Sequence, residues 1–229
     1  MKYLSQLVTS ASGSVNGLTA SHNRGGQYFR GRVIPTNPQT VQQIAVRNAF
    51  GQLAAAWVTT LTETQREAWA AYSELVPLPD ALGQSRPIGA LPMYQRCNTP
   101  RLQAGLAVVN DAPVIYSQAD IGQILIDSAT PASEEVDIAF EGADGWDEED
   151  GAALLVYLGR AQNRSVNFFK GPYRLAGAVL GDSNTPPANP ATVSSPFPFS
   201  AGQKIFGQAR VTRADGRLSS AQRFQFLAT

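Results

Sequence analysis

From residue 37 onward the apolar positions fall into two regimes, and the first has helical spacing. Val46, Phe50, Leu53 and Trp57 recur at intervals of four, three and four, and Ala68, Trp69, Tyr72, Leu75 and Val76 line one face of a second segment that stops at Pro77. Asn37 followed by Pro38 predicts a helix start. Thr62-Glu63-Thr64-Gln65 has the form of a capping box, in which the glutamine reaches back to the threonine amide. Two short helices with a tight connection predict an αα-hairpin whose small core holds Phe50, Trp57, Trp69 and Tyr72. A third, shorter helical piece is expected from Pro92 towards Ala104, disturbed by Pro100.

Beyond Pro113 the period switches towards two. Candidate strands are Gln123–Ser128, Glu135–Glu141, Ala152–Arg160, Tyr173–Leu180, Lys204–Arg213 and Leu218–Leu227, with a short seventh at Val114–Tyr116. Ala214-Asp215-Gly216 is a good hairpin connection between the last pair. Seven short strands over roughly 115 residues have the size and spacing of an immunoglobulin-like or fibronectin-type sandwich. Residues 1–36 show neither period and are punctuated by Gly13, Gly17, Gly25, Gly26 and Gly31. Yet they hold Tyr3, Leu4, Leu18, Tyr28, Phe29, Val33 and Ile34, too many apolar residues for a plain linker. The expected fold class is therefore α+β. An extended arm (1–36) leads to a helical hairpin domain (37–104), a linker (105–117) and an immunoglobulin/fibronectin-like β-sandwich (118–229).

Composition and charge sharpen the picture. The 229 residues include 18 Lys+Arg and 18 Asp+Glu, so the net charge is zero. The balance is uneven: no acidic residue precedes Glu63, while Lys2, Arg24, Arg30, Arg32 and Arg47 do. A charged fraction of only 16%, with 20 Gly and 15 Pro, describes a surface polar without being charged, suited to packing against other chains. The single Cys97 cannot form an intrachain disulfide, and one His excludes a multi-histidine metal site. The apolar run from Gly151 to Gly159 is far too short to span a membrane, and Tyr3 to Val8 after Lys2 is too short and interrupted for a signal sequence.

Candidate chemistry is sparse. Glu134 to Asp150 holds nine carboxylates and no basic residue. Ca²⁺ binding or paired-carboxylate glycoside cleavage are readings of such a run, but it lacks the alternating ligand spacing of an EF-hand, and a solvated acidic turn between strands accounts for it better. Arg24, Arg30 and Arg32 beside Tyr28 and Phe29 form a candidate partner-binding cluster. Three cations in nine residues make a sparse patch for nucleic acid, so docking on an acidic protein surface is the favoured reading. Phe168, Phe169, Tyr173, Phe197, Phe199, Phe206, Phe224 and Phe226 are expected mainly as core, with a sugar-stacking platform as the alternative. No residue is assigned a catalytic, cofactor-binding or metal-ligating role, and the chain is expected not to be an enzyme.

The run Ser14 to Gly26, then Tyr28-Phe29-Arg30, Asn37-Pro38, Gln42-Gln43 and Arg47-Asn48-Ala49-Phe50, resembles an uncharacterised virion structural module of tailed bacteriophages and prophages. The likeness continues through Trp57, Leu61-Thr62, Gln65-Arg66, Ala68-Trp69 and Tyr72 to Tyr94, Asn98 and Gly105, and so covers the first half of the chain. Separately, Gly207 to Val211 followed by Gly216-Arg217-Leu218-Ser219 is similar to the closing hairpin of fibronectin-type domains. The resemblance implies a structural component of the virion, assembled in the host cytoplasm. It implies partners among portal, adaptor, capsid or tail subunits and homo-oligomerisation in the particle, with no cofactor and nucleic acid disfavoured. A glycan- or receptor-binding tail module, or a virion protein that contacts nucleic acid, are the alternatives.

Overall fold

Asn16-Gly17 is a two-residue turn of the kind that closes tight hairpins: both residues adopt positive φ, 42° and 83°. In the computed structural model, which describes residues 11–23, 26–79, 84–141 and 145–228, this turn joins β1 (Gly13–Val15) to β2 (Leu18–Asn23). β3 (Gly26–Gly31) adds on the far side, giving a three-stranded antiparallel sheet in the order β1-β2-β3. The described part of the expected arm thus folds into a sheet between Gly13 and Gly31. Asn-Gly is a hairpin signal in its own right, and reading the glycines only as breakers hides three strands too short to show a sustained period. Met1–Ile44 and Ala45–Thr229 form two compact units.

Helix α1 (Val41–Thr59) begins four residues later than Asn37. Gln39 has φ 48°, which interrupts any helix started at Pro38, and the Thr40 hydroxyl accepts from the Gln43 amide at 3.3 Å in the Asn37 side chain's stead. Helix α2 (Glu63–Leu75) opens with the reciprocal capping box: Thr62 N donates to Gln65 Oε1 (2.9 Å) and Gln65 N to Thr62 Oγ1 (3.3 Å). A two-stranded ladder of β4 (Leu78–Pro79) and β5 (Ser85–Arg86) precedes α3 (Ala90–Gln103), which runs through Pro100 without ending. The helical core contains Leu53, Leu61, Trp69, Tyr72, Val76, Met93, Tyr94 and Cys97. Trp57 packs against this cluster, with Tyr94 5.6 Å from the Trp57 ring and 5.5 Å from Trp69. Phe50 stands outside it at 43% exposure, because burial along α1 starts only with Leu53.

Seven strands follow: β6 (Ile124–Thr130), β7 (Glu135–Phe140), β8 (Ala153–Gly159), β9 (Tyr173–Leu180), β10 (Ala191–Ser194), β11 (Lys204–Thr212) and β12 (Gln222–Leu227). Six lie where periodicity places them. The seventh is Ala191–Ser194, not Val114–Tyr116: the latter residues are 82%, 49% and 54% exposed and pair with no strand. The strands form two antiparallel sheets, β10-β7-β6 and β12-β11-β8-β9. Val136, Ile138 and Phe140 from the first and Leu154, Val156, Leu158, Ile205, Ala209 and Val211 from the second share one core. Alternation then turns Glu135 and Asp137 outward on β7, and Phe206, Gln208 and Arg210 outward on β11. The molecule is a mixed fold of three helices and antiparallel sheets.

Helices and sheets are not separated by a linker. Asn98, fully buried, donates through Nδ2 to Val109 O (3.0 Å) and accepts from Val109 N at Oδ1 (2.8 Å), imitating a strand rung. Trp69 Nε1 donates to Asn110 O (2.8 Å) and the Tyr72 hydroxyl to Ser117 O (3.2 Å), so residues 105–117 are stitched onto the helices. Leu218, expected as a strand residue, is fully buried in the helical core instead, and β12 consequently starts only at Gln222. Arg101 completes the junction. Its buried guanidinium donates to Ala107 O (2.9 Å) through Nε and to Gly151 O (3.0 Å) and Arg213 O (2.5 Å) through Nη1, joining α3 to both strands at one end of the β8–β11 pairing. Arg101→Met strands these carbonyls out of water and is expected to lower the unfolding free energy by about 3–5 kcal/mol. Urea denaturation measures it, and a loss below about 1 kcal/mol would refute the role.

Candidate functional site

The register of the N-terminal sheet decides what its candidate partner-binding residues can do together. Thr19 pairs with Arg30, Ala20 with Phe29 and Ser21 with Tyr28. Directly opposed residues share a face and neighbours alternate, so Tyr28 and Arg30 lie on one face with Thr19 and Ser21, while Phe29 lies on the other with Ala20. Arg32 follows β3 and its amide donates to Gly17 O (2.6 Å), closing the sheet. Arg24 lies outside the described residues. The cluster is therefore divided between two surfaces. His22 sits on β2 opposite Gln27.

The acidic stretch is likewise dispersed. Asp137 accepts from Ser128 Oγ (2.5 Å) and Thr192 Oγ1 (2.6 Å), one on each flanking strand, and these two hydrogen bonds hold its carboxyl below the usual range. Glu149 accepts from the Arg213 guanidinium and from Ala214 N, and Asp150 from Ser183 N (2.8 Å) and Oγ (3.0 Å). These carboxylates are tied to separate partners, and among the described residues no group of three metal-ligating side chains converges.

The aromatic residues of the sheets divide between interior and surface. Phe199 is core, and Phe224 and Phe226 pack against it. Phe206 stacks on Phe169 at 5.8 Å, and Phe169 meets Tyr173 edge-on at 5.4 Å. These three, with Phe168 at 69% exposure, border a recess of about 260 Å³. Phe197 is covered by the guanidiniums of Arg174 (4.8 Å) and Arg160 (5.5 Å).

A second recess, which periodicity and motifs do not reveal, lies between the helices and the outward face of the four-stranded sheet. It encloses about 410 Å³ and is lined by Phe50, Arg96, Gln103, Tyr157, Gln208 and Arg210, among others. Three structural features build it. Helix α1 leaves Phe50 uncovered, α3 brings Arg96 to one wall, and outward alternation on β11 brings Arg210 to the other. The Tyr157 hydroxyl donates to Gln103 Oε1 (2.8 Å) and holds the floor. Burial, followed by the neighbouring Arg96 charge, draws Arg210 below its ordinary value, and burial pushes Tyr157 up to about 12. Among the described residues neither Arg96 nor Arg210 has a carboxylate within ion-pair distance. The two arginines are far apart in sequence, and only the sign of charge strand by strand hints at the site. The chain matches no protein-family model, no curated protein and no solved structure among those compared.

Two outcomes follow from these environments. Cys97 is fully buried and its thiol is pushed up to about 11, chiefly by burial, so it should resist a thiol reagent in the native chain and react once unfolded. Rapid native labelling would contradict this. Asp137, depressed in the folded state, contributes stability that is complete above the unfolded aspartate value of about 3.9 and is lost as pH falls through its lower folded value. Asp137→Asn should flatten the melting temperature's dependence on pH below about 4, and an unchanged acid limb would remove the assignment.

Proposed function

We infer that the chain is a non-enzymatic structural component of a tailed-bacteriophage virion, attached through its N-terminal segment and helices and presenting an immunoglobulin/fibronectin-like sandwich. The observation that carries this reading is the apolar surface of the N-terminal unit. Val15 and Leu18 on the small sheet, Val33 and Ile34 just after it and Val41 at the start of α1 are 73%, 55%, 80%, 80% and 84% exposed, and a three-stranded sheet is too small to bury them itself. Such side chains gain their hydrophobic free energy when another subunit covers them.

The sandwich reading is supported by strand order. The first, second and fifth strands of the β-region pair in one antiparallel sheet, and the third, fourth, sixth and seventh in the other, two sheets of seven strands over one core as in a sandwich of this size. Phe168, solvent-exposed beside the aromatic recess, supports the alternative of a glycan-binding tail module. Retention of the chain on host-surface polysaccharide, lost in Phe168→Ala, would favour that alternative.

Removal of residues 1–36 is expected to leave a soluble, folded remainder, since Ala45–Thr229 is a compact unit by itself, while abolishing incorporation into particles. Quantitative immunoblotting of purified particles measures this. Truncated protein present at the normal copy number would overturn the reading.

A further inference from the structure

The two sheets that share a core carry charges of opposite sign. Within β6, β7 and β10 the charged residues are Asp127, Glu135 and Asp137, all acidic. Within β8, β9, β11 and β12 they are Arg174, Lys204, Arg210 and Arg223, all basic. The outward faces of two sheets packed on one core point away from each other across roughly 10 Å of side chains. Glu135 and Asp137 on one face therefore cannot neutralise Arg210 on the other within a single molecule. A second copy can.

The basic side offers a receptor for carboxylates in the cleft of Arg96 and Arg210. Two guanidiniums brought together in a partly desolvated recess repel one another, and an anion between them relieves that repulsion. Guanidinium forks match carboxylates in shape as well as charge. Phe50 adds an apolar wall and Gln208 a neutral polar group, so the recess fits a carboxylate carried on a short protein segment better than a row of phosphates. The acidic side offers such a segment at the turn between β6 and β7. Ala132, Ser133, Glu134 and Glu135 are all exposed there, flanked by Pro131. Ser133 Oγ donates to Glu135 Oε2 (2.8 Å), and the Glu134 carbonyl accepts from Ser195 N (2.7 Å), which steadies the turn from behind.

We propose that the Arg96–Arg210 cleft of one copy receives Glu134 and Glu135 from the β6–β7 turn of a second copy. The contact is head to tail, because receptor and ligand occupy different surfaces, and repetition generates a ring or an open filament. It goes beyond the virion reading and does not depend on it.

Sedimentation velocity on the full chain at about 50 mM and about 500 mM salt tests the contact. Expected are species larger than a monomer at low salt that dissociate at high salt. Arg96→Gln/Arg210→Gln and Glu134→Gln/Glu135→Gln should each weaken association by about tenfold or more with unchanged circular dichroism. An equimolar mixture of the two double variants should form a one-to-one pair that grows no further, since each retains one half of the contact. If the arginine variant loses its fold, Gln208→Glu, which sets a competing carboxylate two residues from Arg210 on the same strand face, is read in its place. A monomeric wild type at low salt, undiminished association in either variant, or failure of the mixture to pair would each overturn the proposal. So would duplex DNA retained by the wild type and released by Arg96→Gln/Arg210→Gln in the absence of self-association.

Discussion

The helices and sheets of the larger unit meet around the guanidinium of Arg101, and its setting explains why they do not behave as beads on a string. A charge this deeply enclosed is tolerable only where its protons are used, and here three backbone carbonyls from three separate segments take them. Asp215 and Glu149 lie near enough to favour the charged form against its burial, without contacting it as an ion pair. Planarity matters in this position. A lysine has no fixed fork with which to reach carbonyls on α3's exit loop, at the entry to β8 and at the exit of β11. Once those points are fixed, Tyr157 and Gln103 are brought within bonding distance, and the recess between helices and sheet takes its shape as a by-product of the junction.

How far the fold could be read from residues alone depends on how local each cause is. The capping box at Thr62 and Gln65 involves four consecutive residues and is legible as written. Six of the seven later strands announce themselves because one side of each faces a common core. The β10 strand is only four residues, too short for alternation to stand out amid Pro and Ser. Val114–Tyr116 has the composition of a strand, but its side chains stay exposed and it pairs with no described strand. Phe50 continues the helical stripe of Leu53 and Trp57 by spacing, yet it is 43% exposed, and spacing cannot report where burial begins along a helix.

The candidate sites show the same division. The arginine-aromatic cluster near the N-terminus is contiguous in sequence and so easy to notice, but strand pleating sends its neighbours to opposite faces. The Arg96–Arg210 cleft is the reverse case, invisible to any window along the chain and created by a helix and a strand meeting. Net neutrality also proves a poor summary. The cancellation of 18 charges by 18 conceals sheets of uniform and opposite sign, a distribution that matters for encounter between molecules far more than the total does.

The placement of Leu218 bears on the order in which the molecule can be made. Helices form from near neighbours and domains commonly fold as they emerge from the ribosome, N-terminal parts first. Here the three helices are complete by Gln103, but the core they enclose is closed by Leu218, more than a hundred residues further on. Until that residue is synthesised and the β11–β12 connection delivers it, the aromatic cluster around Trp69 and Tyr94 has an open side. The nascent chain must therefore carry a half-finished helical core while more than a hundred further residues are made, which makes arrival of the β11–β12 connection the step that commits the whole unit to its fold.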